Sequence, residues 1–230
     1  MGIAADDYSG DGRVDLLVTN SRDQRHAVYE SSPSGRFGDV RSEFGSAFGG
    51  AHVGWGDAWA DLDLDGRLDL VLANGAIPVK DLEGDAQPLQ VLWNRRGGFA
   101  EADAGPKQRL KLNGRGLATA DYDNDGDLDV AANTIGGRLL LFENTNPRGR
   151  WLEVALHAFH PGAVVTAVLP DGRKLVREVH AGSSYLSSED PRVHFGLGNA
   201  KNLGRLVVRY PGGKTRIMHD VAVDRVVHVD

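Results

Sequence analysis

Apolar positions along this chain fall in short runs bounded by Asp, Asn and Gly, strand-sized and too short for helices. Leu16-Leu17-Val18, Leu70-Val71-Leu72 and Val130-Ala131-Ala132 each follow an Asp-rich turn. Each is succeeded by an aromatic strand carrying Tyr29, Trp93 or Phe142, then by a glycine turn and a further aromatic: Phe37, Phe99 or Trp151. Beyond Trp151 the pattern becomes alternating, and predicts strands over 151–156, 163–169, 174–179, 203–210, 214–218 and 225–229. Pro170-Asp171-Gly172-Arg173 and Pro211-Gly212-Gly213-Lys214 read as hairpin turns within that stretch.

The first stretch is a repeat. Gly2 to Asp7, Gly56 to Asp61 and Gly116 to Asp121 share the frame Gly-x-Ala-x-x-Asp, with successive spacings of 54 and 60 residues. That length accommodates four short strands, the size of a propeller blade. The middle copy is longer by an insertion around 77–88, expected to form an exposed loop. The reading is all-β: a partial β-propeller of three blades (about 2–53, 54–113 and 114–150), then a small barrel or sandwich over 151–230. Three blades cannot close a ring, so the chain reads as a truncated or processed piece whose first strand presents an open edge at residues 2–6. Either the remaining blades of a longer parent chain or a self-paired copy would cover that edge.

Between the first two strands of every copy lies a nine-residue loop. Asp61-Leu62-Asp63-Leu64-Asp65-Gly66-Arg67-Leu68-Asp69 and Asp121-Tyr122-Asp123-Asn124-Asp125-Gly126-Asp127-Leu128-Asp129 carry carboxylates at positions 1, 3, 5 and 9. Alternate carboxylates in a tight turn point oxygens at one centre, glycine at position 6 allows the sharp turn, and the carbonyl of position 7 (Arg67, Asp127) adds another oxygen. Such a set suits calcium; magnesium keeps its waters and demands stricter octahedral geometry. The first copy has Asp7, Ser9, Asp11, Arg13 and Asp15 at positions 1, 3, 5, 7 and 9, so Ser9 costs one charge and predicts weaker binding. About three calcium ions per chain are expected. Constant occupancy at Kd ~10⁻⁴ to 10⁻³ M is typical of extracellular modules, which points to a structural role outside the cytosol.

Composition sharpens this picture. The net charge of −6 is concentrated in residues 1–150, with 24 acidic against 16 basic residues, whereas 151–230 holds 8 against 10. The eleven aspartates at positions 1, 3, 5 and 9 of the loops outweigh the whole net charge. No basic run with interleaved aromatics favours nucleic acid, and no apolar run has membrane-spanning length. Cysteine is absent, which excludes disulfides and thiolate chemistry. No export signal is visible at the start.

The Gly-x-Ala-x-x-Asp strand followed by Asp-x-Asp-x-Asp-Gly-x-x-Asp resembles the FG-GAP or VCBS repeat, the calcium-loop blade of integrin alpha-subunit propellers and many bacterial secreted proteins. Trp151-Leu152-Glu153-Val154, Gly182-Ser183-Ser184-Tyr185-Leu186-Ser187, His194-Phe195-Gly196-Leu197-Gly198 and Tyr210-Pro211-Gly212-Gly213 resemble the ASPIC/UnbV domain that follows such repeats in the cartilage acidic protein family. Tyr210 departs from that domain's usual Trp-Pro-Ser-Gly. The resemblance implies calcium on the loop residues, no known catalytic residue, secretion or cell-surface display, and an adhesive or scaffolding role toward an extracellular protein or glycan. Two other readings compete. One is a carbohydrate-binding propeller using the insertion with Trp55 or Trp59. The other is a metal-assisted hydrolase at the Ser9 loop. His180, Ser183, Ser184, Glu189, Asp190 and His194 cluster in sequence, but no nucleophile-elbow motif frames them.

Overall fold

The computed structural model describes residues 1–48, 50–96, 98–101, 111–145 and 148–230. It is all-β, and no helix among the described residues is long and apolar enough to cross a membrane. The first blade is a four-stranded antiparallel meander, β1 (Ile3–Asp6), β2 (Asp15–Val18), β3 (Ala27–Ser31) and β4 (Phe37–Asp39). The second is β5 (Gly54–Ala60), β6 (Asp69–Asn74), β8 (Gln90–Arg95) and β9 (Gly98–Glu101). The insertion supplies β7 (Gln87–Pro88), which pairs with β10 (Lys111–Leu112). The third blade has β11 (Gly114–Ala120), β12 (Asp129–Thr134) and β13 (Leu140–Phe142).

The inner strands β1, β5 and β11 are neighbours, so the middle blade is covered on both faces. β5 and β6 are accordingly buried at every position instead of alternating. One core lies between blades one and two, built on Leu17, Val28, Trp59, Leu70, Leu72 and Leu92. A short 3-10 segment after β4, Arg41–Phe48, adds Phe44 and Phe48 to it. A second core, between blades two and three, contains Ala58, Ala60, Val71, Leu117 and Val130.

The sequence places Trp151 as the closing aromatic of the third blade, and the structure corrects this. β14 (Arg150–Leu156) leaves β13 and pairs instead with β17 (Val193–Gly198) and, in parallel, with β20 (Arg225–Val229). Opposite lies a four-stranded sheet in the order β16 (Lys174–Glu178), β15 (Val164–Val168), β18 (Asn202–Arg209), β19 (Thr215–Ala222). The two sheets enclose Leu152, Val154, Val165, Phe195, Leu203 and Val208, which makes this unit a sandwich. The edge expected to be bare at residues 2–6 is met at one point, Ile3, while β1 remains the edge strand of its sheet. Ser184 bridges Ile3 in antiparallel fashion, its N–H donating to the Ile3 carbonyl at 3.0 Å and its carbonyl accepting from Ile3 N–H at 3.4 Å.

Candidate metal centre at the junction of blades and sandwich

The loops between the first two strands of each blade fold alike because the same hydrogen bonds recur. The position-1 carboxylate accepts the N–H groups of positions 5 and 6: Asp7 from Asp11 and Gly12, Asp61 from Asp65 and Gly66, Asp121 from Asp125 and Gly126, at 2.8–3.1 Å. Position 6 requires glycine, with φ of 86° at Gly12, 95° at Gly66 and 99° at Gly126. Position 4 is also left-handed, and there Leu64 and Asn124 hold φ near 60° without being glycine.

One carboxyl oxygen from each of Asp61, Asp63 and Asp65 lies within 4.8 Å of the others, and the same holds for Asp121, Asp123 and Asp125. Asp63 Oδ1 is buried and finds no hydrogen-bond donor among the described residues. Three converging carboxylates with an unsatisfied buried oxygen form the all-oxygen donor set of a hard cation, so the residues present fit calcium. In the first loop Asp7, Ser9 and Asp11 hold the same positions with one carboxylate fewer.

The position-9 aspartates stand outside these triads. Asp15, Asp69 and Asp129 each staple the loop to the third strand or the residues just past it: one oxygen accepts from position 3 in loop one (Ser9) and from position 2 in loops two and three (Leu62, Tyr122), the other from Ser31, Asn94 or Asn144. Position 7 acts through its side chain. Arg13 and Arg67 donate Nε to the carbonyls of Ser31 and Asn94 at 3.0 Å, and Nη2 to Asp11 and Asp65. Arg95 Nη1 donates to Asp63 Oδ2 at 2.6 Å. Where the third loop has Asp127, both carboxyl oxygens are buried with no donor among the described residues.

Burial dominates the electrostatics. It pushes Asp61 up to about 7, opposed by Arg177 and reinforced by Asp65, and it pushes Asp69 up to about 8. Asp127 rises to about 7 through burial and then through Asp125, Asp129, Asp123 and Asp121.

The sandwich docks on the backbone of these loops. Gly198 N–H donates to the Leu64 carbonyl at 2.7 Å, and His194 Nε2 to the Gly126 carbonyl at 2.9 Å. Burial holds His194 down to about 4, which keeps it neutral. Arg192 is the central fastener. It donates to the Asp121 carbonyl and to Asn124 Oδ1, and is itself held by Asp190 and by Glu153, which is only 1% exposed. Gly196 allows β17 to rest on loop two, since a Cβ there would lie 2.1 Å from Asp61 Oδ2.

The Ser183 to His194 segment crosses all three inner strands. Ser184 Oγ accepts the Asp57 N–H, Tyr185 meets Trp55 edge to face at 4.9 Å, and Glu189 Oε2 accepts from both Thr119 N–H and Oγ1. Ser183 Oγ donates to Glu189 Oε1 at 3.2 Å, and no serine–histidine hydrogen bond exists among the described residues. The sequence cluster is thus a docking strap. Trp55 and Trp59 are buried, Trp55 under Arg115 and Trp59 stacked on Tyr8, so neither presents a face on which a sugar could stack.

Comparison with known proteins agrees with this architecture. The FG-GAP-like repeat profile matches residues 7–72 and 61–132, and the ASPIC and UnbV profile matches 155–230. Cartilage acidic protein 1 from Homo sapiens is 27% identical over 225 residues, covering 93% of this chain and 33% of that protein. The protein of the same name from Xenopus tropicalis is 26% identical over 244 residues, covering 99% and 36%. The chain therefore spans about a third of the length of these curated relatives. With more than half of its length matched by the repeat profile and the second profile following it, the chain belongs to the FG-GAP-like repeat family and carries an ASPIC and UnbV domain behind its repeats.

Proposed function

We propose that this chain is a calcium-stabilised, non-enzymatic binding or scaffolding module that works outside the cell or at its surface, in adhesion or protein–protein interaction. The observation that carries the reading is the pair of three-carboxylate clusters set directly under the sandwich, in loops whose carbonyls hold it in place. About three ions are bound, one per loop, by positions 1, 3 and 5 with the carbonyl of position 7 and the aspartate of position 9; the Ser9 loop is the weakest. The strap across the inner strands occupies the centre of the blades, so partners meet the outer surfaces. These include extracellular protein or glycan, the other blades of a longer parent, and a second copy.

Calorimetry and melting temperature after chelation and calcium return test the reading. At calcium about tenfold above Kd each site contributes about 1.4 kcal/mol, so three sites contribute about 4 kcal/mol. For a chain of this size that corresponds to a rise of about 8–16 °C. Uptake of no calcium at millimolar concentration, with no change in melting temperature, would refute it.

A further inference from the structure

The same loop occurs three times, and the third differs in what stands at position 7. In loops one and two the position-7 guanidinium lies on the position-5 carboxylate and on a third-strand carbonyl, so a positive charge is built in beside the triad. In loop three that position is Asp127. The backbone frame is unchanged: position 7 donates its N–H to the position-5 carboxylate at 2.9–3.1 Å in all three copies, and the third strand donates to position 9 in each. The side chain therefore starts from the same place but carries the opposite charge.

Asp127 is 1% exposed and its two oxygens meet no donor among the described residues. Its nearest charges are the other four aspartates of the loop. Arg192, the basic group against this loop, reaches only the Asp121 carbonyl and Asn124, and is already matched by Asp190 and Glu153. Counting their own arginines and Arg95, loops one and two each carry a formal charge of −2, against −5 for loop three. One divalent ion neutralises either of the first two and leaves loop three strongly negative. A buried, unpaired carboxylate among like charges stays ionised only beside a counter-charge, and a cation supplies one without a proton.

We propose that loop three holds a second hard cation, bound by the side chains of Asp127 and Asp125 in the place the arginine guanidinium takes in loops one and two. This rests on the calcium reading of the first site and adds a distinct one to it. Asp125 then bridges two ions, with its neighbours Asp121 and Asp123 on one side and Asp127 on the other.

The test is equilibrium dialysis of the full chain, stripped by chelator, against calcium chloride, with bound calcium counted at saturation. The wild type is compared with Asp127→Asn, which keeps the shape, and Asp127→Arg, which installs the residue of the other loops; circular dichroism verifies both folds. The expected result is one ion fewer in each variant, with the remaining sites unchanged. Equal counts in the wild type and both variants overturn the second site and leave the first reading standing. No calcium on the wild type overturns both.

Discussion

At the scale of single residues, burial decides the protonation of the loop carboxylates. Asp61 and Asp69, pushed up to about 7 and about 8, bind protons in the folded chain that they release in the unfolded one. A carboxylate with a raised folded pKa contributes stability that is full below its unfolded value of about 3.9 and is lost as pH rises through the folded value. Chelated protein is therefore expected to melt at a higher temperature at about pH 6 than at about pH 8.5. With calcium bound the carboxylates are held ionised, so this slope flattens, and calcium affinity drops as pH falls below about 7. A chelated melting temperature that climbs between those two pH values would contradict the assignment. Ser9 offers a second handle. Ser9→Asp completes the triad of the first loop, and isothermal titration should show the weakest site tightening by about tenfold, in line with how charge count tunes such sites. Positions 1, 3 and 5 were legible in the sequence because alternation and spacing alone bring their oxygens together. The side-chain roles of Arg13, Arg67 and Asp127 were not, since position 7 reads as a carbonyl donor until the third strand that Arg13 and Arg67 bond is in place.

At the scale of elements, the blade strands could be read because each pairs with its neighbour in sequence, so local patterning carries their register. What escaped the sequence is what tertiary contact decides. β17 falls outside the strands the alternation predicts, and its Gly196 is there because the strand must approach Asp61. β14 continues the aromatic rhythm of the blades through Trp151 but finds better partners in β17 and β20, with Trp151 packed on Gly126. Phe44 and Phe48 fill the blade core from a 3-10 segment that no two-residue alternation marks. The landing of β17 makes a sharp prediction. Gly196→Ala inserts a methyl where no space exists and should cost about 1–3 kcal/mol, read as a lowered denaturant midpoint at constant slope. A neutral result would mean that β17 does not sit on loop two in solution.

At the scale of the whole molecule, blades and sandwich share one interface, whose blade side is formed by the aspartate loops and the inner strands under the strap. Leu64, Asp121 and Gly126 each present a carbonyl to the sandwich from within a loop, and the carboxylate of Asp61 lies directly under Gly196 of β17. Only a few backbone residues therefore separate each carboxylate triad from the docking surface. Arg192 reinforces the coupling because its guanidinium joins loop three to Glu153, a carboxylate that burial pushes up to about 7 even beside the arginine. Breaking a buried pair by removing one partner costs about 3–5 kcal/mol, so Arg192→Met should lower the melting temperature markedly, more than Arg173→Met at an exposed pair. Hydrogen exchange separates coupling from merely local stabilisation. Chelation should speed exchange at 61–69 and 121–129, and equally at 193–198 in β17, while the central strands β15 and β18 of the sandwich keep their protection. If chelator loosens the loops and leaves 193–198 untouched, the sandwich is held by its strap and Arg192 alone, and the ions serve the blades without reaching beyond them.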